Sequence, residues 1–260
     1  MKLVVKVGTS TIAYPGGGLN IRRMESFCRV LSDLKNSGID VILVTSGAIG
    51  MGLGKMRLSR RPDDMPSKQA LAAVGQCELM YVYDKLFSKY NHTAAQLLIT
   101  GSILQDDKSL KNFRNTMDRL LEMRALPIIN ENDTVETEEI TIGDNDTLAS
   151  IVASIVGADL LVLLSDIDGL YTKDPHKYPD AELIKTVEGI TPEIEALAGG
   201  SASSLGTGGM TTKIRAARIC GDAGCDMIIA NGNNPEILYG ILDGADIGTR
   251  FIAPMQMKEN

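Results

Sequence analysis

The chain contains no tryptophan, four phenylalanines, two histidines and four cysteines in 260 residues. Each scarcity excludes something. His92 and His176 lie far apart with no metal-ligand spacing, which argues against a structural zinc site. Cys28, Cys77, Cys220 and Cys225 include no C-x-x-C pair. With no secretory leader, they are expected to be reduced thiols of a cytoplasmic protein. Aromatics are sparse, none are interleaved with basic residues, and the net charge is −7. That balance argues against a nucleic-acid or anionic-membrane surface and leaves room only for a local cationic pocket. Charge-free runs such as Leu148 to Ala158 are too short for a bilayer, which needs about 20 residues. The opening MKLVVKVGTS has Lys6 inside its apolar run and no small-residue cleavage site, so it reads as a first strand.

Glycine is the residue in excess, at 26 positions. Many of these follow short apolar runs, where α/β folds place ligand loops. The length corresponds to one large domain or two small ones. Strand-like runs at Leu3 to Val7, Val41 to Val44, Ala94 to Ile99, Pro127 to Ile129, Leu160 to Leu164, Met227 to Ala230 and near Phe251 alternate with helical patterns. The helices are expected from Asn20 to about Lys35, with Phe27, Val30, Leu31 and Leu34 facing inward, and from Pro66 to about Tyr90. Others run from a Ser109 cap to about Arg124, Asp144 to Val156, Thr211 to Ala223 and Pro235 to Leu242. Tyr171 to Gly189 is turn-rich with a strand-like ELIKTV, a hairpin excursion. The alternation predicts a largely parallel sheet with helices on both faces. No linker divides the chain, and any boundary is a crease near Gly157 to Leu160.

The chemistry concentrates at strand ends. Lys6, amid valines, either snorkels from an edge strand or meets an anion. The Gly8-Thr9-Ser10 that follows offers free N–H groups and hydroxyls and favours the anion. Thr45-Ser46-Gly47 followed by a helix could aim N–H groups at another. Val44 stands where G-x-S-x-G needs its first glycine, so a serine hydrolase is disfavoured. Asn130-Glu131-Asn132-Asp133 and Asp144-Asn145-Asp146 gather carboxylates and amides that could hold an ammonium group or Mg²⁺. Leu164-Ser165-Asp166 ends a buried strand. Gly206-Thr207-Gly208-Gly209-Met210-Thr211-Thr212-Lys213 opens a helix. It matches neither the Walker A loop nor the dinucleotide fingerprint, yet glycine amides, a helix N-terminus and a lysine all suit phosphate. Two lysines with no histidine or cysteine nucleophile fit phosphoryl transfer to a carboxylate, which is already ionised and needs no base.

The stretches VKVGTS, VTSGAIGMG, SKQALAAVGQ, INENDTV, IGDND, LLSDIDGLYTKDP and GTGGMTTK resemble the amino acid kinase family from Val5 to Lys213. INENDTV, IGDND and GTGGMTTK point to its branch acting on the side-chain carboxylate of L-glutamate. The resemblance implies a three-layer α/β/α sandwich forming one domain over 1–260. A glutamate lobe would span about 1–157 and an ATP lobe about 158–260, with no RNA-modification-type PUA domain after them. It implies transfer of the ATP γ-phosphoryl group to L-glutamate, with Mg²⁺ bridging the phosphates, as the first step of proline biosynthesis. Proline as feedback inhibitor and a homo-oligomer, dimer or tetramer, are further implications.

By motif, Lys6 and Lys213 would neutralise the transferring phosphoryl group and Asp146 would orient them. Ser46, Asp133 and Asn145 would bind glutamate with Asn130 nearby. Lys6, Gly8, Ser165, Asp166, Thr207, Gly208, Gly209, Met210, Thr211, Thr212 and Lys213 would line the ATP site. The competing readings are another family member, such as acetylglutamate kinase, and a non-catalytic amino-acid sensor. Binding alone would not require both lysines and Asp146, which weighs against the sensor.

Overall fold

A computed structural model describes residues 1–14, 18–135, 144–198 and 209–254. In chain order these form β1 (Lys2–Val7), α1 (Thr9–Ile12), α2 (Ile21–Asn36), β2 (Asp40–Thr45), α3 (Ala48–Lys55), α4 (Met65–Ser88) and β3 (Ala94–Ile99). Then come α5 (Asp107–Glu122), β4 (Leu126–Glu131), α6 (Asn145–Val156), β5 (Leu160–Ser165), β6 (Thr186–Val187), α7 (Pro192–Ala198), α8 (Met210–Asp222), β7 (Asp226–Asn231), α9 (Ile237–Leu242) and β8 (Thr249–Phe251). One eight-stranded sheet runs in the order β3-β4-β2-β1-β5-β7-β8-β6. Its pairings are parallel except that β7 and β8 run antiparallel. The sheet is continuous across β1 and β5, which pair through five registered positions from Leu3↔Leu160 to Val7↔Leu164.

Side-chain alternation along the strands builds two cores. Leu3, Val5 and Val7 of β1 join Leu43, Val162, Leu164 and Ile228 beneath Met24, Phe27, Leu31, Leu79 and Leu238 of α2, α4 and α9. Val4, Ile42, Val44, Leu161, Leu163 and Ile229 face the other way, onto Phe113, Met117, Leu148, Val152 and Ile214 of α5, α6 and α8. Burial on both faces is why the central strands are near-continuous apolar runs. It also fixes which neighbours Lys6 has. Sharing the parity of Val4, it projects to the side of α6 and α8. β1 is a central strand, flanked by β2 and β5, so Lys6 does not snorkel from an edge.

Local signals explain the element ends. The Asn20 side chain accepts from the Arg23 N–H and caps α2, and the Asp144 carboxylate accepts from the Thr147 N–H and hydroxyl to cap α6. Gly157 closes α6 in the left-handed region at φ 60°. Two expectations need correction. α5 is capped by Asp106, whose carboxylate accepts from the N–H groups of Lys108 and Ser109; the Ser109 hydroxyl donates into the same cap. The helix starts at Asp107, which puts Asp106 and not Ser109 at the capping position. The ELIKTV strand contracts to Thr186–Val187, with Leu183 making an isolated antiparallel bridge to Tyr171, the base of the expected hairpin.

Candidate active site

The C-terminal ends of β1, β2, β4 and β5 converge with the N-terminal ends of α6 and α8. Asp146, in the first turn of α6, lies between two ammonium groups. Its Oδ1 is 2.7 Å from Lys6 Nζ and its Oδ2 is 3.0 Å from Lys213 Nζ. The Thr212 hydroxyl completes the set, its single proton placed between two acceptors, Asp146 Oδ2 at 3.1 Å and the Gly209 carbonyl oxygen at 2.7 Å. Asp146 is only 1% exposed, against 12% for the Lys6 side chain and 7% for Lys213. Burial alone would raise its pKa. The charges and hydrogen bonds of the two lysines outweigh that and hold the carboxyl well below the usual carboxylate range. One fixed anion therefore keeps two cations side by side at the sheet edge, where each alone would be costly to bury. Gly8 follows β1, and a Cβ there would stand 3.4 Å from Lys6 Nζ.

Next to this charged group is a cluster of amides. Asn145 Nδ2 lies 2.9 Å from the Thr45 carbonyl, 2.6 Å from Ser46 Oγ and 3.2 Å from Asn130 Oδ1. Asn130 Nδ2 donates to Gln76 Oε1 at 2.9 Å. The Thr45 and Tyr83 hydroxyls meet at 2.8 Å on the α4 side of β2. Asn145 Oδ1 and Gln76 Nε2 are buried without a partner among the described residues. Gly47 makes the turn between β2 and α3 at φ 106°, a conformation strained for any residue with a Cβ. Asp133 lies just past β4. Burial, then the neighbouring charge of Glu131, push its carboxyl up to about 6, with Arg61 opposing.

The expected residues divide accordingly. Lys6, Lys213, Asp146 and Thr212 form one group, and Ser46, Asn130 and Asn145 form the adjoining one. The Ser165 hydroxyl donates to Asp166 Oδ1 at 3.2 Å where β5 ends. Gly209 is the N-cap of α8, while Met210 is buried and packs in the core under α6 and α8. The Thr211 hydroxyl turns away to the carbonyl of Ala198 at the end of α7. Thr207 and Gly208 lie outside the described residues.

Sequence reasoning missed Gln76, which sits at the end of the quoted SKQALAAVGQ without being singled out. It also passed over Asp168, whose Oδ1 accepts from Asn231 at 2.7 Å and whose Oδ2 accepts from the Tyr171 hydroxyl at 3.1 Å. The signal available was the Asn231-Gly232-Asn233-Asn234 turn after an apolar strand, the same pattern that marked β4.

Comparison with known proteins places the chain in a family. The sequence matches the model of the amino acid kinase family over residues 1–231. It is 52% identical over 256 residues to a glutamate 5-kinase of Clostridium perfringens, covering 97% of this chain and 95% of that one. It is 51% identical to a glutamate 5-kinase of Caldanaerobacter subterraneus, covering 98% of this chain and 68% of the relative. Among solved structures, a carbamate kinase from Giardia lamblia bound to AMP-PNP shares the fold at TM-score 0.70 and 17% identity, covering 97% of this chain and 98% of that one. A T. acidophilum isopentenyl phosphate kinase shares it at TM-score 0.63 and 18% identity, covering 96% of this chain and the whole of that one.

Proposed function

The chain belongs to the amino acid kinase family, and we propose that it carries the activity of its curated relatives, glutamate 5-kinase. In that reaction an oxygen of the L-glutamate side-chain carboxylate attacks the γ-phosphorus of ATP. The bond from that phosphorus to the bridging oxygen breaks, and ADP leaves with the electron pair. L-glutamyl 5-phosphate is the product. No proton has to be removed from the acceptor, since a carboxylate is ionised at neutral pH. Catalysis is then positioning and charge neutralisation.

The observation that carries this reading is Asp146 held between Lys6 and Lys213, immediately followed along the strand ends by the Asn145, Asn130 and Ser46 cluster. In our reading the two lysines meet the equatorial oxygens of the transferring group, one near the donor and one near the acceptor. Asp146 holds both in place. Ser46, Asn130, Asn145 and Asp133 receive glutamate in the half spanning about 1–157. Gly8, Ser165, Asp166 and the stretch from Thr207 to Lys213 receive ATP, largely in the half spanning about 158–260, without the buried Met210 side chain and the Thr211 hydroxyl that turns to Ala198.

Among the described residues, no three or more His, Cys, Asp or Glu stand together as a metal site, and Asp146 is already taken up by lysines. These residues fit a Mg²⁺ ion carried on the ATP phosphates and their waters, where it would add to charge neutralisation.

No described helix is long and apolar enough to cross a membrane. A cytoplasmic enzyme opening proline biosynthesis, with proline competing at the glutamate pocket and a dimeric or tetrameric assembly, is the setting we infer.

The test is ATP turnover with Mg²⁺ and L-glutamate, trapping product with hydroxylamine, with N-acetylglutamate, aspartate and UMP as controls. Hydroxamate from L-glutamate alone is the expected result. ATP binding with no turnover on any acceptor would favour the amino-acid sensor instead.

A further inference from the structure

The buried amides beside Ser46 form a chain with a single direction. The Thr45 carbonyl oxygen can only accept, so Asn145 has to turn Nδ2 toward it, at 2.9 Å. The same Nδ2, its two protons shared among three acceptors, faces Asn130 Oδ1 at 3.2 Å, the longest of the three contacts. Asn130 must therefore present its own Nδ2 on the opposite side, where Gln76 Oε1 accepts from it at 2.9 Å. A backbone carbonyl fixes one end of the chain and a glutamine oxygen fixes the other. Gln76 is 8% exposed and Asn130 2%, so water cannot readily replace either partner.

The direction has a consequence at Ser46. Its Oγ lies 2.6 Å from Asn145 Nδ2, and an amide nitrogen does not accept hydrogen bonds. Ser46 therefore accepts there, and its hydroxyl proton is turned to another acceptor. Asn145 Oδ1, on the other branch of the same amide, is buried with no partner among the described residues. A free hydroxyl proton and a free amide oxygen are what the carboxylate and ammonium of an amino acid require.

We propose that Gln76 is a positioning residue for the amino-acid substrate. The Thr45 carbonyl sets the direction of Asn145. By accepting from Asn130, Gln76 keeps Asn130 Oδ1 against Asn145 Nδ2 and so steadies that amide. Beside it the Ser46 proton is left for a substrate carboxylate, and Asn145 Oδ1 for the ammonium group. The proposal rests on the glutamate reading above. Without an acceptor at position 76, the Asn130 NH₂ group is buried unpaired unless the amide turns over. Turned over, it sets NH₂ against NH₂ at Asn145, which the Thr45 carbonyl keeps in place, and the two amides push apart. Gln76 acts through Asn130, on binding rather than on phosphoryl transfer.

The test is Gln76→Met, which keeps the length of the side chain and removes the acceptor. The expected result is a glutamate KM raised about tenfold, with the ATP KM and kcat changed less than about threefold. In an Asn130→Ala background, the same substitution should change the glutamate KM by less than about twofold, since the group it acts through is gone. Calorimetric titration with L-glutamate reads the same loss without turnover. Gln76→Leu serves the same cycle if the methionine variant does not fold. An unchanged glutamate KM in Gln76→Met, or an equal effect in both backgrounds, overturns the role of Gln76 while the glutamate reading stands. Wild-type protein inert toward L-glutamate in the hydroxamate assay overturns both.

Discussion

Lys6, on the central strand of the sheet, and Asp146, in the first turn of α6, are joined at 2.7 Å. Lys213 holds the other carboxylate oxygen at 3.0 Å. Asn at position 146 would keep the shape of the side chain and leave two buried ammonium groups facing each other. We expect Asp146→Asn to lower kcat at least 100-fold, on the order of the loss seen for preorganised charge elsewhere. Removing one member of a buried charged set costs about 3 kcal/mol of stability, measurable by urea denaturation. The pH dependence has a definite sign. The folded carboxyl sits below its unfolded value, so its stabilisation is fully present above about pH 4 and is lost as the pH falls further. That acid-side loss should be smaller in the Asn variant; an unchanged acid limb would remove Asp146 as its source.

Lys213→Ala separates the two lysines. Asp146 stays paired with Lys6, and the cost to the fold is smaller than for Asp146→Asn, about 1–2 kcal/mol from lost packing and one charged hydrogen bond. Turnover should still fall by about 100-fold or more, because one of the two cations for the developing phosphoryl charge is missing. Steady-state kinetics on a variant shown to be folded by circular dichroism decides it. Near-normal kcat would take Lys213 out of the mechanism.

Asp133 supplies a different pH effect. Burial and Glu131 raise its carboxyl to about 6. Between about pH 4 and pH 6 the folded chain binds this proton and the unfolded chain releases it, so this group makes the free protein less stable as pH rises through that window. Binding an ammonium group requires the ionised form. The glutamate KM should therefore fall as pH rises through about 6 and level off above it, while the ATP KM stays flat. Asp133→Asn should raise the glutamate KM about tenfold or more at pH 7.5 and remove this limb of the profile. Equal changes in both KM values would contradict a place in the glutamate pocket.

Much of this was legible in the residues because it depends on local rules. The helix starts at Asn20 and Asp144, the inward face of Phe27, Val30, Leu31 and Leu34, and the largely parallel sheet with helices on both faces are found as expected. What escaped depends on where distant segments meet. Lys6 alone does not reveal whether its strand is central or at an edge; that is set by the pairing of β1 with both β2 and β5. Gln76 looks like any polar residue on a long helix until β4 brings Asn130 to it. Glu131 and Arg61 have no sequence relation to each other, yet both act on Asp133. At Asp106 and Ser109 two good capping residues competed, and only the geometry of the helix start decides between them.

The glycines of α3 and α4 yield the last prediction. A Cβ on Gly75 would overlap the carbonyl oxygen of Ala48, and one on Gly52 would overlap that of Leu71. The two helices thus touch backbone to backbone, and neither position has room for a methyl group. α3 begins right after Ser46 and Gly47, and Gln76 follows Gly75 on α4. Prying the helices apart therefore moves Ser46 and Gln76 relative to each other, on either side of the amide chain. Gly75→Ala gains about 1 kcal/mol in helix propensity and loses more to overpacking, for a net destabilisation of about 1–3 kcal/mol. The glutamate KM should rise with it, while the ATP KM changes little, because Lys6, Asp146 and Lys213 are carried by β1, α6 and α8. Gly50→Ala is the matched control on α3. Among the described residues a Cβ there meets only the Thr9 methyl carbon at 3.6 Å, an ordinary contact. If both variants lose stability and glutamate affinity alike, close packing of α3 on α4 is not what sets the position of Ser46.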